Sequence, residues 1–175
     1  MLLQDIFQNS KKIIRLDNQT LSKITSDTYE TANSLIVVTL WSSSVLFFSF
    51  HLSSSELIYP VFDHIFAWII ATFGSWYILS RGYKEIIQMQ NLLALTGYAQ
   101  ILFFSIILFG RIESCFFPFV YCSSTTRISL WMLAVIFWIY LIINKGIQVG
   151  FYIDKKISSA ASISFLLIMF FFSDI

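Results

Sequence analysis

The sequence predicts an all-α fold: a polytopic membrane helix bundle of five transmembrane helices behind a short amphipathic N-terminal segment. Three observations lead there. The chain of 175 residues is 57% hydrophobic, with a mean hydropathy of +0.76. Only 12% of its residues are charged, against about 25% in an ordinary soluble domain. Its apolar residues also gather in five runs, each near the roughly 20 residues that a helix needs to cross a bilayer core about 30 Å thick. A soluble core of this size could not hide so much apolar surface. The formal net charge of +1 leaves no global basic field for nucleic acid. No cleavable signal is expected, because the first apolar run begins only at Leu35, and no Arg-rich transit peptide is visible.

Residues 1–34 form the polar, amphipathic segment. Leu3, Ile6, Phe7, Ile13 and Ile14 fall near helical spacing beside Lys11, Lys12 and Arg15. That pattern suits a helix lying among lipid headgroups; a frayed tail is the other reading. Asp27 and Glu30 form an Asp-x-x-Glu capping box that would open the first membrane helix.

Residues 35–175 form the membrane domain. Span one covers about 35–52, and Ser53-Ser54-Ser55-Glu56 breaks it. Pro60 suits the first turn of the next helix, so span two covers about 61–79. Arg81, Gly82, Lys84 and Glu85 make a charged connector. Span three, about 92–110, is the centre of the chain: it carries no charge before its end, yet clusters Thr96, Gly97, Tyr98 and Gln100 where a plain anchor would have leucines. Residues 111–127, with Pro118, two cysteines and a Ser-Thr run, read as a loop. Span four covers about 128–144, its helix continuing past Gly146 to Tyr152, and span five covers about 157–173.

Orientation follows from Lys and Arg. Lys11, Lys12, Arg15, Lys23, Arg81, Lys84, Lys145, Lys155 and Lys156 fall on the side of the N-terminus, and only Arg111 and Arg127 fall opposite. The N-terminus is therefore expected inside and the C-terminus outside. Tyr59, Trp76, Tyr77, Trp131 and Tyr152 lie near span ends, as an aromatic belt requires.

Candidate chemistry is sparse. Thr96 and Gln100 stand one helical turn apart. Polar groups inside a membrane usually face protein, which makes them helix-to-helix glue or, alternatively, part of a solute path. Gly97 would admit a neighbouring backbone, with Tyr98 beside it. Ser158, Ala160, Ala161, Ser162 and Ser164 offer small-residue packing in span five. His51, His64, Glu56 and Asp63 surround the first outer loop, but their spacing fits no metal motif, and an interfacial His beside a helix-start Asp explains them. Cys115 and Cys122 can pair in an oxidising compartment or stay as thiols. No catalytic constellation, cofactor loop, metal set or basic-aromatic nucleic-acid stretch is seen. The residues thus suggest a non-enzymatic protein that works among membrane lipids and other integral membrane proteins, as a homo- or hetero-oligomer. A small transporter or channel subunit with a polar site at Thr96 and Gln100 is the alternative, and an enzyme of membrane lipids is a third.

Leu95-Thr96-Gly97-Tyr98-Ala99-Gln100 resembles the motif that opens the third span in the Yip family, the Ypt/Rab-interacting membrane proteins and their bacterial relatives. Arg15-Leu16-Asp17 through Asp27, then Ala32 to Thr39, is similar to the lead-in of bacterial members. Leu130-Trp131-Met132-Leu133 matches their fourth span and Ile157-Ser158-Ser159-Ala160-Ala161 their fifth. The likeness covers about Arg15 to Phe172, and the order of spans carries it more than any single motif. It implies a five-span Yip-like domain with a cytosolic N-terminus. A long N-terminal region and a Tyr-Gly-Pro motif before span one are missing; Tyr59-Pro60 precedes span two instead. These departures point to the bacterial or plastid-type branch, hence to a bacterial inner membrane or a plastid membrane with the N-terminus on the cytoplasmic or stromal side.

Overall fold

The computed structural model describes residues 2–48, 54–82, 87–105 and 124–172. They form α1 (Leu2–Ile14), α2 (Asn18–Ser26), α3 (Tyr29–Phe48), α4 (Ser54–Gly82), α5 (Met89–Ala99), a 3-10 turn (Gln100–Leu102), α6 (Ser124–Phe151) and α7 (Lys155–Phe172). The described residues contain no strand, and the fold is all-α. Three stretches are long and apolar enough to cross a membrane: Val61–Gly82, Trp131–Phe151 and Lys155–Phe172. They correspond to expected spans two, four and five. Expected spans one and three each run into residues outside the described ones, and so do Cys115 and Cys122 with their loop.

Several boundaries differ from the sequence reading. α4 starts at Ser54, so Pro60 lies inside it rather than opening it. A proline so near a helix start removes only one backbone bond, and the long apolar run beyond it carries the helix. Expected span three is not one uninterrupted helix. α5 gives way at Gln100 to a 3-10 turn, with the Gln100 N–H shared between the carbonyls of Gly97 and Tyr98. The tightening follows Gly97, the residue type least suited to a helix interior after proline.

The N-terminal segment is two helices, and both are packed into the bundle. Ile6, Ser10 and Ile13 bury one side of α1; Thr20, Leu21, Ile24 and Thr25 bury one side of α2. The corner between them is a Schellman closure: Asp17 N–H bonds Lys12 O, Leu16 N–H bonds Ile13 O, and Leu16 takes a φ of 57°. Asp17 then caps α2, its carboxylate accepting from Thr20 N–H at 2.9 Å and Thr20 O–H at 2.6 Å. α2 lies on α6, where a Cβ at Gly150 would overlap the side chain of Thr25, so the glycine permits the approach.

The principal packing pairs are α4 with α7, α3 with α5, and α2 with α6. In α7 the buried stripe is Ser158, Ala161, Ser162, Phe165 and Met169. These positions are three or four apart, one side of a helix. Ala160, expected in that packing, is exposed on this chain, because two residues from Ser158 is the wrong side of a 3.6-residue turn. Ser164 is half-buried and faces Gly74 of α4.

Candidate functional site

The polar cluster of expected span three becomes the hub of three helices. α5 carries Thr96 and Gln100 four residues apart; α4 runs beside it with His64, Trp68 and Thr72 at the same spacing. The two stripes meet. Trp68 Nε1–H donates to Thr96 Oγ1 at 3.0 Å, and the Thr72 hydroxyl lies 3.0 Å from the same oxygen. Thr96 in turn donates back to Leu92 O at 2.9 Å. One turn on, His64 Nε2 lies 2.8 Å from Gln100 Oε1, within hydrogen-bond reach. Gln100 is fully buried, and its Nε2 finds no acceptor among the described residues.

Gly97 is where α3 closes on α5. A Cβ there would meet Ser34 Cβ at 2.8 Å, Ser34 Oγ at 2.9 Å and Trp68 Cζ2 at 3.1 Å. Ser34 Oγ donates to Thr31 O at 2.8 Å and reaches Leu93 O at 3.3 Å, while Thr31 Oγ1 donates to Gln90 O at 2.9 Å. The glycine is thus required by the approach of a polar seam, not by an unusual dihedral angle.

Tyr98 points to another partner. Its hydroxyl donates to Glu30 Oε2 at 2.6 Å. Asn33 Nδ2 donates to the same oxygen at 2.9 Å, Asn9 Nδ2 to Oε1 at 3.1 Å, and Lys23 Nζ stands 3.7 Å from Oε1. Glu30 is 4% exposed. Its carboxylate therefore ties α1, α2, α3 and α5 together. The expected capping box is half-made: Asp27 Oδ1 accepts from Tyr29 N–H at 3.0 Å, but both Glu30 oxygens are committed inward. A buried carboxylate needs several donors, and the core supplies more of them than the helix start does.

A rim of aromatic rings closes the Gln100 end. Trp41 stacks on Phe103 with centroids 5.3 Å apart, and both meet His64 edge-on. A further polar knot holds α6 to α7, where Ser158 Oγ bonds both the backbone and the side-chain oxygen of Asn144, and Tyr140 reaches Ser159 at 2.9 Å.

The sequence reading singled out Thr96, Gly97, Tyr98 and Gln100, and the fold brings all four to buried contacts. It missed Glu30 as a core acid and read His64 as interfacial. Because α4 starts at Ser54, His64 lies well inside the helix and is 8% exposed; Asp63 beside it is exposed. The i, i+4, i+8 spacing of His64, Trp68 and Thr72 is the signal that would have found them. No group of three or more His, Cys, Asp or Glu arranged for a metal occurs among the described residues; His51 and the side chain of Glu56 lie outside them.

Comparison with protein-family models, with curated proteins and with solved structures finds no match for this chain.

Proposed function

We propose that this chain is a non-enzymatic, Yip-like integral membrane protein of five spans that organises or binds other integral membrane proteins. The observation that carries the reading is how the polar residues of α5 are spent. Thr96, Gly97 and Tyr98 each close on a neighbouring helix, through Trp68 and Thr72, Ser34, and Glu30 respectively. They act as bundle glue, which leaves outer faces and loops for partners. Large apolar side chains stand exposed there, among them Phe62, Phe66 and Phe73 on α4 and Leu167, Phe170 and Phe171 on α7. Lipid or a partner's helix would cover such faces.

The proposed orientation puts α1 and α2 on the cytoplasmic or stromal side. Lys145 meets Leu16, Gly150 meets Thr25, and Gly82 meets Ile157 next to Lys155 and Lys156. The N-terminal helices, the α6–α7 turn and the basic end of α4 therefore share one side of the bundle, which supports reading it as the basic, inner side.

A small transporter or channel subunit remains the second reading, favoured by the unpaired Gln100 Nε2 beside His64. The test is flux through liposomes for the parent and for Gln100→Leu with Thr96→Val, run with mass spectrometry of proteins that co-purify in mild detergent. Reproducible membrane-protein partners without flux support the organising role. Flux through the parent that a folded double variant abolishes would replace it with the transporter.

A further inference from the structure

We propose that the cleft at the α1–α2 corner holds the phosphate of an anionic phospholipid, an assignment that rests on the membrane reading above. The cleft is open to the surface, has a volume of about 700 Å³ and is lined by Lys12, Arg15, Asp17, Asn18, Gln19 and Lys145. Three of these side chains are cations and one is an acid. The acid's Oδ2 accepts both the N–H and the O–H of Thr20, and three cations against its one charge leave the lining at net +2. Lys145 Nζ gives one N–H to Leu16 O at 2.8 Å and keeps two for a ligand. The left-handed turn at Leu16 brings Arg15 and the start of α2 to one mouth. There the N–H groups of Asn18 and Gln19 have no acceptor among the described residues. They belong to a helix start, where unpaired N–H groups and the positive end of the helix dipole favour a phosphate oxygen.

The surroundings point to a lipid rather than a free anion. Trp131, Trp138 and Lys145 are seven residues apart in succession on α6, and so lie along one stripe. Trp138 Nε1–H donates to Ile14 O at 3.0 Å, fastening the corner to that stripe two turns from Lys145. Trp131 and Trp138 are 37% and 39% exposed, and Phe137 between them is 58% exposed. The stripe belongs to the membrane-length stretch Trp131–Phe151. A headgroup in the cleft would therefore lay its acyl chains along an aromatic strip made for hydrocarbon.

The test uses the full chain reconstituted with phosphatidylcholine alone or with phosphatidylcholine containing phosphatidylglycerol. Flotation with vesicles reads insertion, and the melting temperature reads the site. Phosphatidylglycerol should raise the melting temperature of the parent. Each interfacial cation contributes roughly a fivefold factor in affinity for anionic lipid, so Lys12→Gln with Arg15→Gln and Lys145→Gln should weaken it on the order of 100-fold and erase the shift. Lys12→Gln with Arg15→Gln alone keeps the Lys145–Leu16 bond, and should still lose about 25-fold if the triple variant fails to fold. Lys11→Gln with Lys155→Gln and Lys156→Gln removes the same charge from exposed positions outside the cleft, and should lower the shift far less than the cleft variants do. An equal loss in that control, or no shift in the parent, would overturn the site. Inorganic phosphate reproducing the full shift in phosphatidylcholine would overturn the lipid. Failure to float with either vesicle would instead overturn the membrane reading.

Discussion

Tyr98→Phe removes one hydroxyl from the Glu30 cluster and leaves the ring in place. The ring is fully buried and its volume hardly changes, so cavity effects drop out. What disappears is the 2.6 Å bond to Glu30 Oε2, short as expected for a carboxylate acceptor. Hydrogen bonds to charged groups contribute roughly 1.5–3 kcal/mol. The carboxylate is not stranded, because Asn33 still donates to Oε2 at 2.9 Å and Asn9 to Oε1 at 3.1 Å. Tyr98→Phe should therefore cost about 1.5–3 kcal/mol, less than the roughly 3–5 kcal/mol of leaving a buried charge unpaired. The assay is reversible unfolding in mixed micelles, arranged as a double-mutant cycle with Glu30→Gln. The glutamine carbonyl still accepts the phenol, but a neutral bond contributes only about 0.5–1.5 kcal/mol, so the Tyr98→Phe cost should fall by about half on that background. A cost below ~0.5 kcal/mol in the parent, or full additivity in the cycle, would refute the claim that this carboxylate clamps α5 to the N-terminal helices.

Gly97→Leu should cost on the order of 1–3 kcal/mol by forcing Ser34 and Trp68 aside, whereas Ala134→Leu on the exposed side of α6 should be nearly neutral; equal melting temperatures would remove Gly97 from the packing. Tyr152 takes a φ of 55° and is 82% exposed, so Tyr152→Gly should raise stability by up to about 1 kcal/mol, read in the same unfolding assay. The bonds from the Thr20 hydroxyl and N–H hold the Asp17 carboxyl below its usual range. A lowered native value means its contribution is complete above the unfolded value and fades as pH drops below about 4; acid melting of α2, followed by exchange at Thr20 and Leu21, should lose that dependence in Asp17→Asn. Reporters fused at the two termini should label opposite sides of the membrane, and same-side labelling would mean that the number of spans is not five.

The sequence by itself determined what depends on composition and short range. Runs of apolar residues must become helices wherever water is scarce, because only a helix satisfies its own backbone. The all-α class, the continuation of α6 to Phe151 and the place of α7 follow from that rule. Thr96 and Gln100 could be singled out because a polar group in an apolar run must find a partner. Which partner it found was decided by the tertiary structure alone. The pairing of His64 with Gln100 needs α4 to lie along α5, and the register between them is set by packing along both helices rather than by any local signal. Glu30 could cap its own helix or turn inward. The local motif describes the first choice, while three donors gathered from α1, α3 and α5 make the second, and those donors are 21, 3 and 68 residues away. Ala160 differs from Ala161 only by one position on a helix, yet the direction of the neighbouring helices makes one exposed and the other buried. Helix-forming tendency is written residue by residue, but the face that a helix buries and the partner that a polar side chain meets exist only once several helices are packed together.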